Sequence, residues 1–340
     1  MKIVKRTTMA QVARKAEVTI GTVSHVINGT APISEETKKR VEYYIKELDY
    51  RPNIAAKSLR RKRNFSVGLL IPNLNNSFYS KITSTFLDCA YKKGYSVQIH
   101  GYEYSIERER RELKRLENLD VGIVVIFNGY GDEAEILNLM SKGIPVILAD
   151  RCTDLQNVPY IKFDNYKVML EIVSTFKKKG YKRIGFFSEQ LHLNNLQDRF
   201  SGYKHALELN GYSFNENHVF IEEQLCLDNL NNGYLYMKKL LNEHSKEDLP
   251  DAWIATSDLL AIGMMHAIYE HGYEVPHDMG IIGFDNIDIS KHVRPKLSTV
   301  EQNQILLGEK LMDLVDHTYM NRESEQSITL EQKLILRDSC

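Results

Sequence analysis

The chain has 340 residues, of which 43% are hydrophobic and 26% charged, and its formal net charge is −1. That is enough to bury a sizeable core in two or three domains. No stretch approaches the roughly 20 apolar residues of a membrane span. Met1-Lys2-Ile3-Val4-Lys5-Arg6 does not read as a signal peptide, and Cys89, Cys152, Cys226 and Cys340 show no C-x-x-C spacing. A membrane protein and a disulfide framework are therefore not expected, and a reduced cytoplasm is. Cys340 is expected to be an exposed thiol.

In chain order, Thr8 is a candidate N-cap for a first helix whose Met9, Val12, Ala13 and Ala16 share one face. Glu17-Val18 predicts a tight break. Thr19 caps a second helix, with Val23, Val26 and Ile27 inward and Asn28-Gly29 as its stop. Ile20, Gly21, Ser24 and His25 then point outward near that helix's N-terminus, where a helix-turn-helix meets base edges. A third helix from Ser34 turns Val41, Tyr44, Ile45 and Leu48 inward. By itself the pattern also fits an ordinary helical hairpin with a solvated face.

Charge separates those readings. Residues 1–65 hold fifteen Lys and Arg against six Asp and Glu, a surplus of +9, so the rest of the chain carries −10. A basic head on an acidic body points to a local polyanion partner. The linker Arg51-Pro52-Asn53 is followed by a short candidate helix, Ile54 to Arg60, capped by Asn53. About seven residues are marginal as an isolated helix, so this segment should order only when something packs on it. Without the head it would read as a flexible basic linker.

From Ser66 onward short apolar strands alternate with amphipathic helices. Strand candidates are Val67–Ile71, Ser96–His100, Gly122–Phe127, Val146–Ala149, Arg183–Phe187, Ala252–Thr256 and Gly280–Phe284, with Gly94, Gly143, Gly180, Gly211 and Gly272 ending intervening helices. Such a pattern predicts parallel sheets covered on both faces, here two doubly wound subdomains split near Asp164-Asn165. The cleft between them is the default small-molecule site. Walker A, G-x-S-x-G, H-E-x-x-H and G-x-G-x-x-G are absent, and the 11 histidines show no paired metal spacing. Neither an enzyme nor a bound cofactor or metal is expected.

Val12-Ala13, Val18, Thr22-Val23-Ser24-His25-Val26-Ile27-Asn28-Gly29, Tyr50-Arg51-Pro52-Asn53, Ser58-Leu59 and Gly283-Phe284-Asp285-Asn286 together resemble the LacI/GalR family of bacterial transcription repressors. The resemblance spans essentially the whole chain. It implies a helix-turn-helix head over 1–52, a hinge helix and linker over 53–64, and a periplasmic-binding-protein-like core over 65–340. Within that core it implies an N-subdomain of about 65–164 and 293–325 and a C-subdomain of about 165–292 and 326–340. It also implies a homodimer on pseudo-palindromic duplex DNA, with no heptad segment at the tail to build a tetramer.

By that resemblance, Ile20, Gly21, Ser24 and His25 would meet bases, His25 as the main polar reader. Leu59 would wedge into a minor-groove step. Thr8, Thr19, Thr22, Asn28, Tyr50 and Asn53 would touch phosphates. Phe78, Tyr79, Asp150, Asp164, Arg199, Asp258 and Asp285 would line an effector cleft, with Arg199 gripping hydroxyls or a carboxylate. Other readings stay open: one of Phe78 and Tyr79 as core, Arg199 with Asp285 as a structural ion pair, and Asp150, Asp164 or Asp258 as helix caps. Asp228 stands where some relatives place a stacking aromatic. The effector implied is a saccharide, neutral or phosphorylated. The alternative is a corepressor such as a purine, and a sugar receptor or sugar-acting enzyme is the remaining rival.

Overall fold

A computed structural model describes residues 7–28, 30–50, 65–119, 121–129, 133–226, 229–321 and 327–340. The hinge segment with Asn53 and Leu59, and Asp228, lie outside these residues. The chain divides into two units, Met1–Asn64 and Phe65–Cys340.

The first unit is three helices, α1 (Met9–Lys15), α2 (Ile20–Asn28) and α3 (Glu35–Glu47). Thr8 starts α1 with a capping box: its hydroxyl accepts from the Gln11 amide at 3.4 Å while Gln11 Oε1 accepts from the Thr8 amide at 2.7 Å. Glu17 turns the chain at φ 52°, and Thr19 Oγ1 accepts from the Thr22 amide at 3.1 Å to open α2. Ser34 opens α3 in the same way. Val12, Ala13, Ala16, Val23, Val41 and Tyr50 form the core, with Val26, Ile27, Tyr44, Ile45 and Leu48 packed against it. This is the apolar set that the helical periodicity predicts, with the Tyr50 ring added.

The second unit begins β1 (Ser66–Ile71), α4 (Ser77–Lys93), β2 (Ser96–Gly101), α5 (Ile106–Asn118), β3 (Ile123–Phe127), α6 (Glu133–Ser141), β4 (Val146–Ala149) and β5 (Tyr160–Phe163). It continues α7 (Asn165–Lys179), β6 (Ile184–Ser188), α8 (Asn194–Leu209), β7 (Val219–Ile221), α9 (Asn229–Glu243), β8 (Ala252–Ala255), α10 (Asp258–Glu270) and β9 (Gly280–Phe284). It ends β10 (Ser298–Glu301), α11 (Gln304–Asn321), β11 (Ile328–Leu330) and β12 (Lys333–Ile335). Two six-stranded sheets result, ordered β11-β5-β4-β3-β1-β2 and β12-β10-β9-β8-β6-β7. All neighbours are parallel except β10 and β12. The central strands are buried on both faces, as near-continuous apolar runs require.

The subdomain boundaries differ from those expected in the last third of the chain. Residues 298–301, expected in the N-subdomain, form β10 and pair with β9 in the second sheet. Residues 328–330, expected in the C-subdomain, form β11 and pair with β5 in the first. The reason is alternation. The chain leaves the first sheet after β5, returns after β10 as α11, whose Leu307, Leu311 and Val315 join the first sheet's core, and leaves again after β11. β10, β11 and β12, of three or four residues each, are too short to show as separate periodic blocks. Cys340, expected exposed, is only 6% exposed. The tail is stitched into the second subdomain, with Ser298 donating to Ser339 Oγ and Lys179 Nζ to the Cys340 carbonyl, at 2.7 and 2.8 Å.

Candidate functional site

The head offers an outward face on α2. Ile20 is 43% exposed, and Gly21 and His25 are exposed beside the half-buried Ser24. The His25 ring is steadied at 2.9 Å by Thr30 Oγ1. Thr19 and Thr22 share a hydroxyl–hydroxyl bond of 2.9 Å at the start of α2, and Thr8 stands at the start of α1. Two helix N-termini thus present hydroxyls, which suits phosphate contacts. Tyr50 differs: its ring is buried in the core of the head, and burial raises its phenol above the ordinary value.

In the body, Phe78, Tyr79, Asp150, Arg199 and Asp285 line one cavity of about 50 Å³ between the sheets. Phe78 and Tyr79 open α4 after the Asn76 cap and stack edge-on at 5.2 Å. Both are buried core and both border the cavity. Tyr79 Oη accepts from Asn128 Nδ2 at 2.6 Å. Asp150 follows β4 at φ 54°. Its Oδ2 accepts from Asn195 Nδ2 at 2.9 Å, across to α8 in the other subdomain, and burial pushes its carboxyl up to about 6. Asp285 follows β9 at φ 104°, a region that L residues rarely occupy. Its carboxyl lies well above the usual range because of burial first and the neighbouring Asp258 next.

Arg199 sits on α8 and is 3% exposed. Its Nε donates to Asn165 Oδ1 at 2.8 Å and its Nη1 to the Thr256 carbonyl at 2.7 Å. The Gln302 amide, oriented to satisfy its neighbours, accepts from Arg199 Nη2 at 3.1 Å and from Gln332 Nε2 at 2.8 Å, and donates to Asp285 Oδ1 at 2.8 Å. Gln332 also donates to Asn165 Oδ1 at 3.3 Å. Asn165, Gln302 and Gln332 mark the three places where the chain passes between sheets, so Arg199 and its partners join all three crossovers. The guanidinium face lies 4.0 Å over the Phe284 ring.

Two expected members are not brought to the cavity. Asp164 caps α7, accepting from the Lys167 amide at 3.1 Å. Asp258 is fully buried. It accepts from Thr299 Oγ1 at 2.5 Å and from the Ile287 amide at 2.9 Å, with burial pushing it up to about 7. It fixes the loop after Asp285 rather than the cavity itself, and Gly283 leaves the room it needs. Sequence reasoning missed Asn76, Tyr104, Asn128, Glu189, Asn195, Thr256 and Gln302, which also line the cavity. Asn128 and Glu189 lie just past the C-terminal ends of β3 and β6, and Asn195 is one helical turn before Arg199; those placements are the signal that could have found them. A second chamber of about 280 Å³, lined by Ile106, Asn128, Gly129, Arg151, His192, Leu193 and Asn194, shares Asn128 and Leu193 with the first.

Residues 8–53 match the family of bacterial regulatory proteins of the lacI type, and residues 173–340 a periplasmic binding protein-like domain. The chain is 30% identical over 336 residues to catabolite control protein A of Priestia megaterium, covering 98% of each chain. The chain belongs to the LacI family. It is 32% identical to the transcriptional regulator RegA of Clostridium acetobutylicum, over 97% of this chain and 98% of that protein. A lac repressor dimer solved with operator and an anti-inducer has the same fold, with a TM-score of 0.85 at 24% identity over 98% of this chain and 99% of that one. A CelR–cellobiose complex matches with a TM-score of 0.72 at 25% identity, over 98% and 100%. A LacI-family member with these relatives is a DNA-binding transcriptional regulator and not an enzyme. Among the described residues no helix is long and apolar enough to cross a membrane.

Proposed function

We propose that this regulator is a cytoplasmic homodimeric repressor that reads a pseudo-palindromic duplex with α2 and changes its operator affinity when a saccharide enters the cleft at Asp150 and Arg199. On DNA, His25 is the polar base reader, Ile20, Gly21 and Ser24 make close or apolar approach, and Leu59 from the hinge is the minor-groove wedge. Phosphates are met by Thr8, Thr19, Thr22, Asn28, Tyr50 and Asn53. In the cleft, Phe78, Tyr79, Asp150, Arg199 and Asp285 form the ligand wall, and Asp164 and Asp258 shape it from behind.

The observation that carries the effector half is a pair of buried acceptors. Asp150 and Asn128 line the cavity, and the Oδ1 of each is buried with no hydrogen-bond partner; a buried polar atom without one is costly. The cavity of about 50 Å³ is far below the roughly 300–1,000 Å³ of ligand pockets. Entry of a sugar therefore has to part the subdomains at the crossovers that Arg199 ties together. That motion is the lever on DNA affinity, with reciprocal coupling of about 1–3 kcal/mol.

The test has two arms. Duplexes selected from a random pool should be palindromic and bind with a steep salt dependence, and Leu59→Ala should weaken selected duplex far more than random duplex. Equal loss on both would remove the wedge. A melting screen of sugars should give a hit that alters the mobility shift; hits that melt-shift the protein without touching DNA affinity would remove the switch.

A further inference from the structure

The lining of the inner cavity is unbalanced in charge. Among its described residues Asp150, Glu189 and Asp285 bring three carboxylates, and Arg199 the one cation. That cation is committed: Nε, Nη1 and Nη2 each donate to a protein acceptor, and its face covers Phe284. Glu189 is committed too, its two oxygens accepting from Asn229 Nδ2 at 2.8 Å and Thr256 Oγ1 at 2.7 Å. What remains unpartnered is Asp150 Oδ1 and Asn128 Oδ1, on side chains 2% and 1% exposed. Both are acceptors. The acids are not grouped closely enough to hold a metal ion, among the described residues. Burial raises the carboxyls of both Asp150 and Asp285, and at Asp285 the neighbouring acids Asp258, Asp150 and Glu189 add to it.

Resting on the reading of this cleft as the effector site, we propose that it is a charge filter: it takes a hydrogen-bond-donating polyol, ranks the ammonium-bearing form above the neutral parent, and refuses the phosphorylated one. An ammonium or hydroxyl answers the open acceptors of Asp150 and Asn128. A phosphate would bring two negative charges and no donors to a wall whose open groups are acceptors and whose guanidinium is already spent. In the outer chamber Arg151 does not reverse this, because it donates to the Asn128 and Gly129 carbonyls and lies across Gly129 from the buried Glu109.

The experiment is calorimetry and melting of the full chain with glucose, galactose and mannose, each as the neutral sugar, the 2-amino sugar and the 6-phosphate. On the scaffold that binds, the amine should bind at least about tenfold tighter than the neutral sugar, and the phosphate at least about tenfold weaker. Asp150→Asn, nearly isosteric and checked for folding by its circular dichroism melt, should compress that ranking severalfold, and Asn128→Ala should weaken all forms alike. A phosphate that binds as well as its parent, with affinity still sensitive to Asp150→Asn, overturns the filter and leaves the cleft as the site. A ranking unmoved by both substitutions places the ligand elsewhere and overturns the cleft reading as well. Binding of none of the nine compounds by the wild-type chain overturns the filter, since a wall of open acceptors would then fail to take donors.

Discussion

On α2, Ile20, Gly21 and His25 stand on a surface whose loss would hardly disturb the packing of Val12, Val23 and Val41 beneath it. In the cleft, Arg199 and Asp150 are buried and bonded to groups on both subdomains and on the segments between them. One functional surface is laid over a core, while the other is a joint of the fold. Substitutions on the first should alter recognition and spare stability. Substitutions in the second should alter both together.

The largest effect is expected at Arg199. Removing the guanidinium in Arg199→Ala strands Asn165, the Thr256 carbonyl and Gln302 and takes the neighbouring positive charge from the buried Asp150 and Asp285, and loss of one partner from a buried charged cluster costs about 3–5 kcal/mol. Denaturant unfolding of the full chain should show that loss in the body. Arg199→Lys should not restore it, because one ammonium cannot serve acceptors in three directions. A loss below about 1 kcal/mol would show that the crossovers do not depend on this residue, and the contrast with the head would collapse.

The next effect is on pH. Burial lifts Asp258 to about 7 and Asp150 to about 6. A carboxyl whose folded value is raised contributes stability that is complete below its unfolded value, near 4, and fades as pH climbs through the folded one. Melting should therefore weaken between about pH 4 and pH 7. Asp258→Asn keeps an acceptor for the Ile287 amide and a donor for Thr299 Oγ1, so it copies the protonated form and should flatten that slope. An unchanged slope would mean that Asp258 is ionised throughout. Glu117 acts in a separate window: Lys142 and Lys114 hold it down to about 2, so its share is lost only as pH falls from about 4 toward that value.

What the sequence made legible follows the same division. Caps, apolar stripes and the outward face of α2 are local, set by residues three or four apart, and Thr8, Thr19, Val23 and His25 stand where periodicity puts them. The two-sheet plan was legible because strands such as Ile123–Phe127 are continuous apolar runs. The cleft was legible only in part. Phe78, Tyr79, Asp150, Arg199 and Asp285 were found through a family resemblance, but Asn165, Gln302 and Gln332 are ordinary amides in short crossovers. Nothing within a few residues of them shows that they meet at Arg199. The misplaced β10 and β11 have the same origin, since three or four residues carry no period and the partner strand alone decides their sheet.

On the head, His25→Ala should cost about 1–3 kcal/mol of discrimination at one symmetric position in each half-site, read by competition between selected duplexes. The unfolding midpoint should stay within error of wild type, because the ring is exposed and its hydrogen bond goes to Thr30 Oγ1 at the surface. A stability loss comparable with that of Arg199→Ala would break the distinction between a laid-on surface and a joint.

The smallest effect separates two roles of one hydroxyl. Thr19 Oγ1 accepts from the Thr22 amide and shares a proton with the Thr22 hydroxyl, so Thr19→Ala should cost the head about 1 kcal/mol as a lost cap. Thr19→Asp keeps the cap, since aspartate is at least as good at that position, and adds a charge that a phosphate would repel. If Thr19 only caps, Thr19→Asp should melt and bind DNA like wild type. If it also touches the backbone, Thr19→Asp should retain its melting point and lose affinity equally on selected and random duplex, because phosphate contacts carry register and not sequence. Loss confined to the selected duplex would instead move Thr19 among the base readers and extend the reading face one residue back from Ile20.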